Sequence, residues 1–301
     1  MFNLERLRVL HEISVHGTVG GAAEALYVTT SAISQQMAKL ERETGQRLLS
    51  RSGRGVRLTD AGRLLAAHAG KVLSLLEVAQ SDLEAHRGEA AGELLLSAFP
   101  TAARGLFPAA LNRLRHEHPL LRPRLTEAEA EVALPRLLRG GTDLAIVLDW
   151  RNRTLTLPAG LCSTPLLEDP VDLAVPEGHP VAGRRRVELT EVAEEEWISW
   201  PEGEFCHEWL MSTLRAEGIE PRLSHTAAEH HTQLVLVAAG LGIAVTPRLG
   251  RGPVPRGVAL VPVHHTLRRR IYAVWRQDAD RRPSIRAAVS ALEKAALEVT
   301  G

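Results

Sequence analysis

The sequence predicts an α/β protein of more than one domain: a small winged helical unit, one long helix, and an open α/β region large enough for two lobes. Three observations carry that expectation. The 301 residues exceed one ordinary compact core. Hydrophobic residues at 45% and charged residues at 24% are globular proportions, which excludes disordered, collagen-like and disulfide-dense chains. Short helical periods in the first sixty residues give way to one long apolar stripe, and then to apolar runs alternating with helical ones. Lys+Arg 36 balance Asp+Glu 36, so attraction to a polyanion has to come from local patches. Cys162 and Cys206 are too few for a secreted framework and suit a reducing compartment. Met1 to Val15 carries Glu5, Arg6, Arg8 and Glu12, unlike a signal peptide or membrane anchor, so the expected location is the cytoplasm, at the nucleoid if the partner is DNA.

Leu4, Leu7, Leu10 and Ile13 recur at helical spacing until His16-Gly17 breaks the run. Thr18 can cap a short second helix with Ala22, Ala23 and Leu26 inward, and Thr29 a third that ends at Gly45. Ser52-Gly53-Arg54-Gly55 suits the tip of a hairpin between Leu48 and Leu58, which makes 1–58 a winged helix-turn-helix. Thr59 then caps a helix over 59–88, roughly 40 Å long at 1.5 Å per residue, whose stripe of Leu64, Val72, Leu75, Leu76, Ala79 and Leu83 needs a partner helix; a homodimer is the simplest source. Residues 89–92 read as a hinge. In 93–301, expected strands begin at Leu94, Leu121, Leu144, Val171, Trp197, Ile243, Val258 and Ile271, and helices span Ala102 to His116, Leu134 to Arg139, His207 to Glu217, Thr232 to Ala239 and Ile285 to Glu298. A second lobe is expected over about 166–265.

If Ile33, Met37 and Leu40 face inward, helical rotation exposes Ser31, Ser34, Gln35, Lys39 and Arg42. Short hydroxyls and planar amides on a helix N-terminus suit base edges, and cations further along suit phosphates. From Lys39 to Arg63 there are seven Lys/Arg and three acids, which focuses positive charge on the wing. The bland alternative is a solvated polar face on a three-helix bundle.

Ala22-Ala23-Glu24-Ala25-Leu26-Tyr27-Val28-Thr29-Thr30-Ser31-Ala32-Ile33-Ser34, Leu40-Glu41-Arg42-Glu43-Thr44-Gly45 and Leu58-Thr59-Asp60-Ala61-Gly62 resemble the DNA-binding domain of LysR-type transcriptional regulators. Val237-Ala238-Ala239-Gly240-Leu241-Gly242-Ile243-Ala244 with Pro247-Arg248 resembles the same family's effector domain, so the resemblance spans nearly the whole chain. It implies a periplasmic-binding-protein-like effector domain, a dimer or tetramer, an interrupted palindrome in double-stranded DNA, a small-molecule effector, and RNA polymerase as a further candidate partner. The DNA-contact set is then Thr30, Ser31, Ser34, Gln35, Lys39, Arg51, Arg54 and Arg57. Gln35-Gln36 stands where many members carry a basic residue, which shifts the phosphate grip toward Lys39 and the wing arginines.

In open α/β lobes, ligands sit outside the carboxyl ends of strands. Thr101, Trp150, Ser199, Trp200 and Thr246 fall at such ends, partly by the resemblance, and are the candidate effector residues; each is as readily a cap or core side chain. A small anion is the expected ligand. His225, His230, His231 and His264-His265 lack metal-site spacing, so no metal and no cofactor are expected. Cys206 beside His207 raises redox sensing, with packing as the plainer reading. No catalytic motif is present, so the chain is not expected to be an enzyme; the rival reading is a small-molecule-binding or transferase-like α/β protein whose N-terminal helices only dimerise it.

Overall fold

Short polar side chains set the helix starts of the N-terminal unit. In the computed structural model, which describes residues 2–26, 28–52, 55–264 and 267–300, the backbone divides into two compact units, one ending at Leu83 and one starting at Glu84. Asn3 caps α1 (Leu4–His16) by accepting from the Arg6 N–H, and Thr18 caps α2 (Val19–Ala25) through the Gly21 N–H. Thr29 accepts from the Ala32 N–H at the start of α3 (Thr30–Thr44), and Gly17 and Gly45 stop α1 and α3 in the left-handed conformation at φ 69° and 66°. Leu10, Ile13, Ile33, Met37 and Leu40 form the buried centre of the unit.

The wing is β1 (Leu49–Ser52) against β2 (Gly55–Leu58), antiparallel, with Leu49 opposite Leu58. The expected tip residues Gly53 and Arg54 lie outside the described residues, as do Tyr27 and the Arg51 side chain. Glu41 fixes the wing to α3, its Oε1 accepting from the N–H groups of Leu48 at 2.8 Å and Leu49 at 3.0 Å. Thr59 caps α4 (Asp60–Arg87), accepting from the Gly62 N–H at 3.0 Å. Ala66 and Ala69 bury the packed side of α4, whereas Leu64, Leu75 and Leu83 on the expected stripe stay 65%, 68% and 65% exposed.

The second unit is built on parallel strands β3 (Gly92–Ala98), β4 (Leu121–Glu127) and β5 (Leu144–Trp150), with β3 in the middle. The stretch expected as one helix from Ala102 to His116 is two, α5 (Pro100–Gly105) and α6 (Phe107–Glu117). Pro108 explains the break: it has no N–H for the Arg104 carbonyl, and its ring would clash there. After β5 and α7 (Ala130–Leu138), the long β6 (Leu161–Pro176) ties two sheets together. Its first half pairs with β11 (Arg268–Arg276), which also pairs with β5; its second half pairs with β9 (Ala244–Pro247) and β10 (Val258–Pro262). The first half of β6 escapes the sequence pattern because Pro165 and Pro170 break its apolar alternation; Pro165 sits beside a register shift against β11.

Around this crossing, β7 (Glu196–Ser199) and β8 (Arg222–Thr226) run parallel, followed by α8 (Phe205–Ala216) and α9 (His230–Ala238) respectively. The strand β8 is absent from the sequence expectations, since all five of its residues are exposed and no buried alternation marks it. The closing helix α10 (Pro283–Thr300) packs on α6.

Gly250 is a test point of this assembly. It holds φ +61°, and a Cβ there would stand 2.1 Å from the Thr101 carbonyl oxygen. Gly250→Ala should destabilise the second unit by about 2–4 kcal/mol, read from denaturant midpoints, because the strain and the backbone clash add. A midpoint equal to the parent's would mean that the loop after β9 does not press on Thr101 in solution.

Candidate functional site

The inward stripe of α3 is buried, with Ile33 and Met37 at 1% exposure, and this rotation turns Thr30, Ser31, Ser34, Gln35 and Lys39 to solvent as one exposed row. The Ser34 hydroxyl donates back to the Thr30 carbonyl at 2.9 Å, which leaves its oxygen lone pairs free to accept. Arg57 on β2 is exposed. A cavity of about 410 Å³ at the foot of the wing, lined among others by His11, Arg57 and Gly70, belongs to this unit and not to the predicted effector segments.

In the second unit, the carboxyl ends of β3, β4 and β5 lead to Thr101, Glu129 and Trp150, and those of β7 and β8 to Ser199, Trp200 and the start of α9. Register places Asp169, Arg269 and Trp150 in one row across β6, β11 and β5. The buried Arg269 donates from Nε to Asp169 Oδ2 and from Nη2 to the Thr101 hydroxyl oxygen, both at 2.7 Å, and its guanidinium lies 5.2 Å from the centre of the Phe99 ring. Asp169 accepts in addition from the Leu249 N–H at 2.8 Å.

Thr101 therefore meets an arginine first. Trp150 is packed as core, its ring stacked at 3.3 Å on Trp209, whose Nε1 donates to Asn152. Ser199 is buried with its Oγ 3.2 Å from His207 Nδ1. Trp200 meets the His230 ring edge-on at 5.3 Å. Thr246 is buried with no hydrogen-bond partner for its hydroxyl among the described residues, and its carbonyl accepts from Arg251 Nη2 at 3.3 Å. Arg104 reaches from α5 toward α9, donating to the Gly250 carbonyl at 3.0 Å and lying 3.6 Å from Glu229. Thr101 thus meets Arg269, Trp200 meets His230 and the Thr246 carbonyl meets Arg251, with the charges of Arg269 and Arg251 both felt at His230, while Ser199 and Trp150 are held in packing.

Sequence reasoning passed over Arg104, Glu129 and Arg269, and weighed His230 only as a metal ligand. The run Arg268-Arg269-Arg270 opening an apolar strand was the available signal. Alternation sends neighbouring side chains to opposite faces, so arginines there must find carboxylates on both faces. Asp169 meets Arg269, and Asp149 meets Arg270 at 2.8 Å.

Burial, with the charges of Arg269, Arg104 and Arg251, pushes His230 down to about 3, so its ring is neutral at physiological pH. Burial likewise pushes the Cys206 thiol up to about 12, helped by Glu129, which leaves little thiolate. Cys162 lies on β6 opposite Trp275 of β11, and Cys206 lies in the first turn of α8; both thiols are free. An unfolded chain takes up a proton on His230 near pH 6.5 while the folded one resists to about 3, so stability is lost as pH falls through that window, at up to about 1.4 kcal/mol per pH unit. His230→Leu should flatten this slope in denaturant titrations between pH 6.5 and 4; an unchanged slope would place His230 in contact with water.

Family models match most of the chain: the bacterial regulatory helix-turn-helix protein, lysR family, over residues 4–63, and the LysR substrate binding domain over residues 87–296. The HTH-type transcriptional regulator TtuA of Agrobacterium vitis is 29% identical over 264 residues, covering 86% of this chain and 85% of its own. The hydrogen peroxide-inducible genes activator of Pectobacterium carotovorum subsp. carotovorum is 30% identical, covering 87% of this chain and 86% of its own. Among solved structures, a cysteine-to-serine variant of Corynebacterium glutamicum OxyR with hydrogen peroxide bound matches at TM-score 0.63 and 27% identity, over 99% of this chain and 93% of its own. With helix-turn-helix and substrate-binding domain matched in order, the chain belongs to the LysR family of DNA-binding transcription regulators and is not an enzyme.

Proposed function

We propose that the chain reads an interrupted palindrome as a homodimer joined along α4, and that a small effector with an anionic group, bound at the strand ends around Arg269 and His230, biases the assembly between two arrangements. The observation that carries the reading is the exposed row Thr30, Ser31, Ser34, Gln35 and Lys39, held outward by the buried stripe of α3. These are the side-chain types that read base edges and grip phosphate, and Arg51, Arg54 and Arg57 of the wing add phosphate or minor-groove contacts. The open leucines of α4 supply the dimer seam, and pairing of two dimers would extend it to a tetramer. In this reading Thr101, acting through Arg269, and Trp200 and Thr246 meet the effector, while Trp150 and Ser199 support them from the packing behind. Such a regulator works in the cytoplasm at the nucleoid and meets RNA polymerase at its promoter; among the described residues no helix is long and apolar enough to cross a membrane.

Ser34→Ala and Gln35→Ala should each lower operator binding by about 1–3 kcal/mol while changing random-DNA binding much less, measured by competition mobility shift. Equal losses on both DNAs would reject base reading by these side chains. Replacing Leu76 and Leu83 together with Glu should turn dimers into monomers in sedimentation and abolish palindrome binding, because like charges would meet across a two-fold seam. An intact dimer would show that the stripe packs elsewhere.

A further inference from the structure

Two sets of opposite charge flank Arg269. On one side, the His230 Nδ1 and the Thr246 hydroxyl have no hydrogen-bond partner among the described residues, and both residues are more than nine-tenths buried. Arg104 and Arg251 reach toward this side, and Asp172 is shared by Arg251 and Arg248 at 2.6 and 2.7 Å, so two cations meet one carboxylate there. On the other side, Glu129 and Glu204 stand at the N-caps of α7 and α8, yet neither side chain makes a capping bond. Glu229, the N-cap of α9, does cap, accepting from the Thr232 N–H at 2.9 Å. Among the described residues, no cation pairs with Glu129, Glu131 or Glu204.

Glutamates that leave their own helix N-terminus uncapped keep free carboxylate oxygens. The Glu129 side chain is exposed although protein surrounds it, as on the wall of a cleft, and this crowding together with Glu131, Glu204 and Glu127 outweighs Arg269 and lifts its carboxyl to about 7. An ammonium group placed among these carboxylates would relieve that repulsion. The two poles are close: Ala128 on β4 donates to the Ala98 carbonyl of β3 at 2.9 Å, so Glu129 and Thr101 follow adjacent strand ends about 5 Å apart, and Thr101 holds Arg269.

Resting on the effector reading above, we propose that the effector is a zwitterion of amino-acid type, its carboxylate received at the His230, Thr246 and Arg269 side and its ammonium at Glu129 and Glu204.

The test uses the full-length protein, with binding measured by calorimetry against the twenty common amino acids, γ-aminobutyrate and β-alanine. For each binder, the N-acetylated form, the decarboxylated amine and the deaminated acid are titrated beside it. At least one amino acid should bind, with each single-charge analogue at least about tenfold weaker, the size expected when one half of a close charge pair is removed. Affinity for the zwitterion should rise from pH 6 to 8 as Glu129 gives up its proton. Glu129→Gln should weaken binding about tenfold and remove that rise, and Glu204→Gln, farther from Arg269, should weaken binding with the rise kept. A deaminated acid that binds as tightly as its amino acid, and changes operator binding, overturns the zwitterion and leaves the anionic-effector reading standing. No binding by any amino acid overturns the zwitterion; no change in operator binding with any carboxylate of the panel then counts against the effector reading separately.

Discussion

A guanidinium that is 2% exposed inside a sheet has to be neutralised where it stands, and the second unit is organised around that requirement. Arg269 takes Asp169 as its counter-charge and Thr101 as a hydrogen-bond acceptor, and Asp169 in turn receives the Leu249 N–H. Removing one partner of such a pair costs about 3–5 kcal/mol, since a charge is left unpaired in low dielectric. Asp169 lies on β6 and Arg269 on β11, close to where β6 passes from one sheet to the other and where β11 begins. The loop after β9 leans on the same point, with Gly250 against the Thr101 carbonyl and Arg104 bonded to the Gly250 carbonyl. The crossing strands, the end of β3 and this loop therefore share one polar junction.

That placement gives a ligand a physical handle. A molecule that contacts Arg269 or Arg104 touches groups that also tie together β3, β6, β11, the loop after β9 and the start of α9. An effector shifts an equilibrium only by the difference in its affinity for two arrangements, so contacts at a junction count for more than equal contacts on one half. The Arg104–Glu229 approach and the stacking of Trp150 on Trp209 join α5 to α9 and β5 to α8, and a bound ligand would have to replace or strengthen them. Cys206 is held as the thiol, since burial and the charge of Glu129 push it up to about 12.

The N-terminal unit was largely legible because its information is local. Thr18, Thr29 and Thr59 cap the helices they were expected to cap, Gly45 ends α3 in the left-handed region, and the spacing of Ile33, Met37 and Leu40 fixes which face is buried. In the second unit, strands with continuous apolar runs such as β5 were equally plain, since all seven of its residues are buried. What stayed hidden is non-local. The exposed β8 and the proline-bearing half of β6 owe their pairing to partners distant in sequence, and no local alternation announces them. The candidate effector residues followed the same rule. Strand-end position pointed to Thr101 and Thr246, but it could not tell their hydroxyls apart: Arg269, from 168 residues away, takes that of Thr101, while that of Thr246 has no partner among the described residues. Glu129 carried no local signal, because the charge of Glu204 reaches it only through the folded placement of α8.

The claim on which everything else depends is that this chain recognises a particular DNA sequence. Footprinting the full-length protein on the DNA upstream of its own coding region tests it directly. The account predicts protection of two half-sites in a dyad, their centres a whole number of helical turns of about 10–10.5 base pairs apart, surviving a roughly thousandfold excess of random DNA. Uniform protection that the random competitor abolishes would show binding through phosphates alone, and would contradict the assignment of α3 as a reading helix.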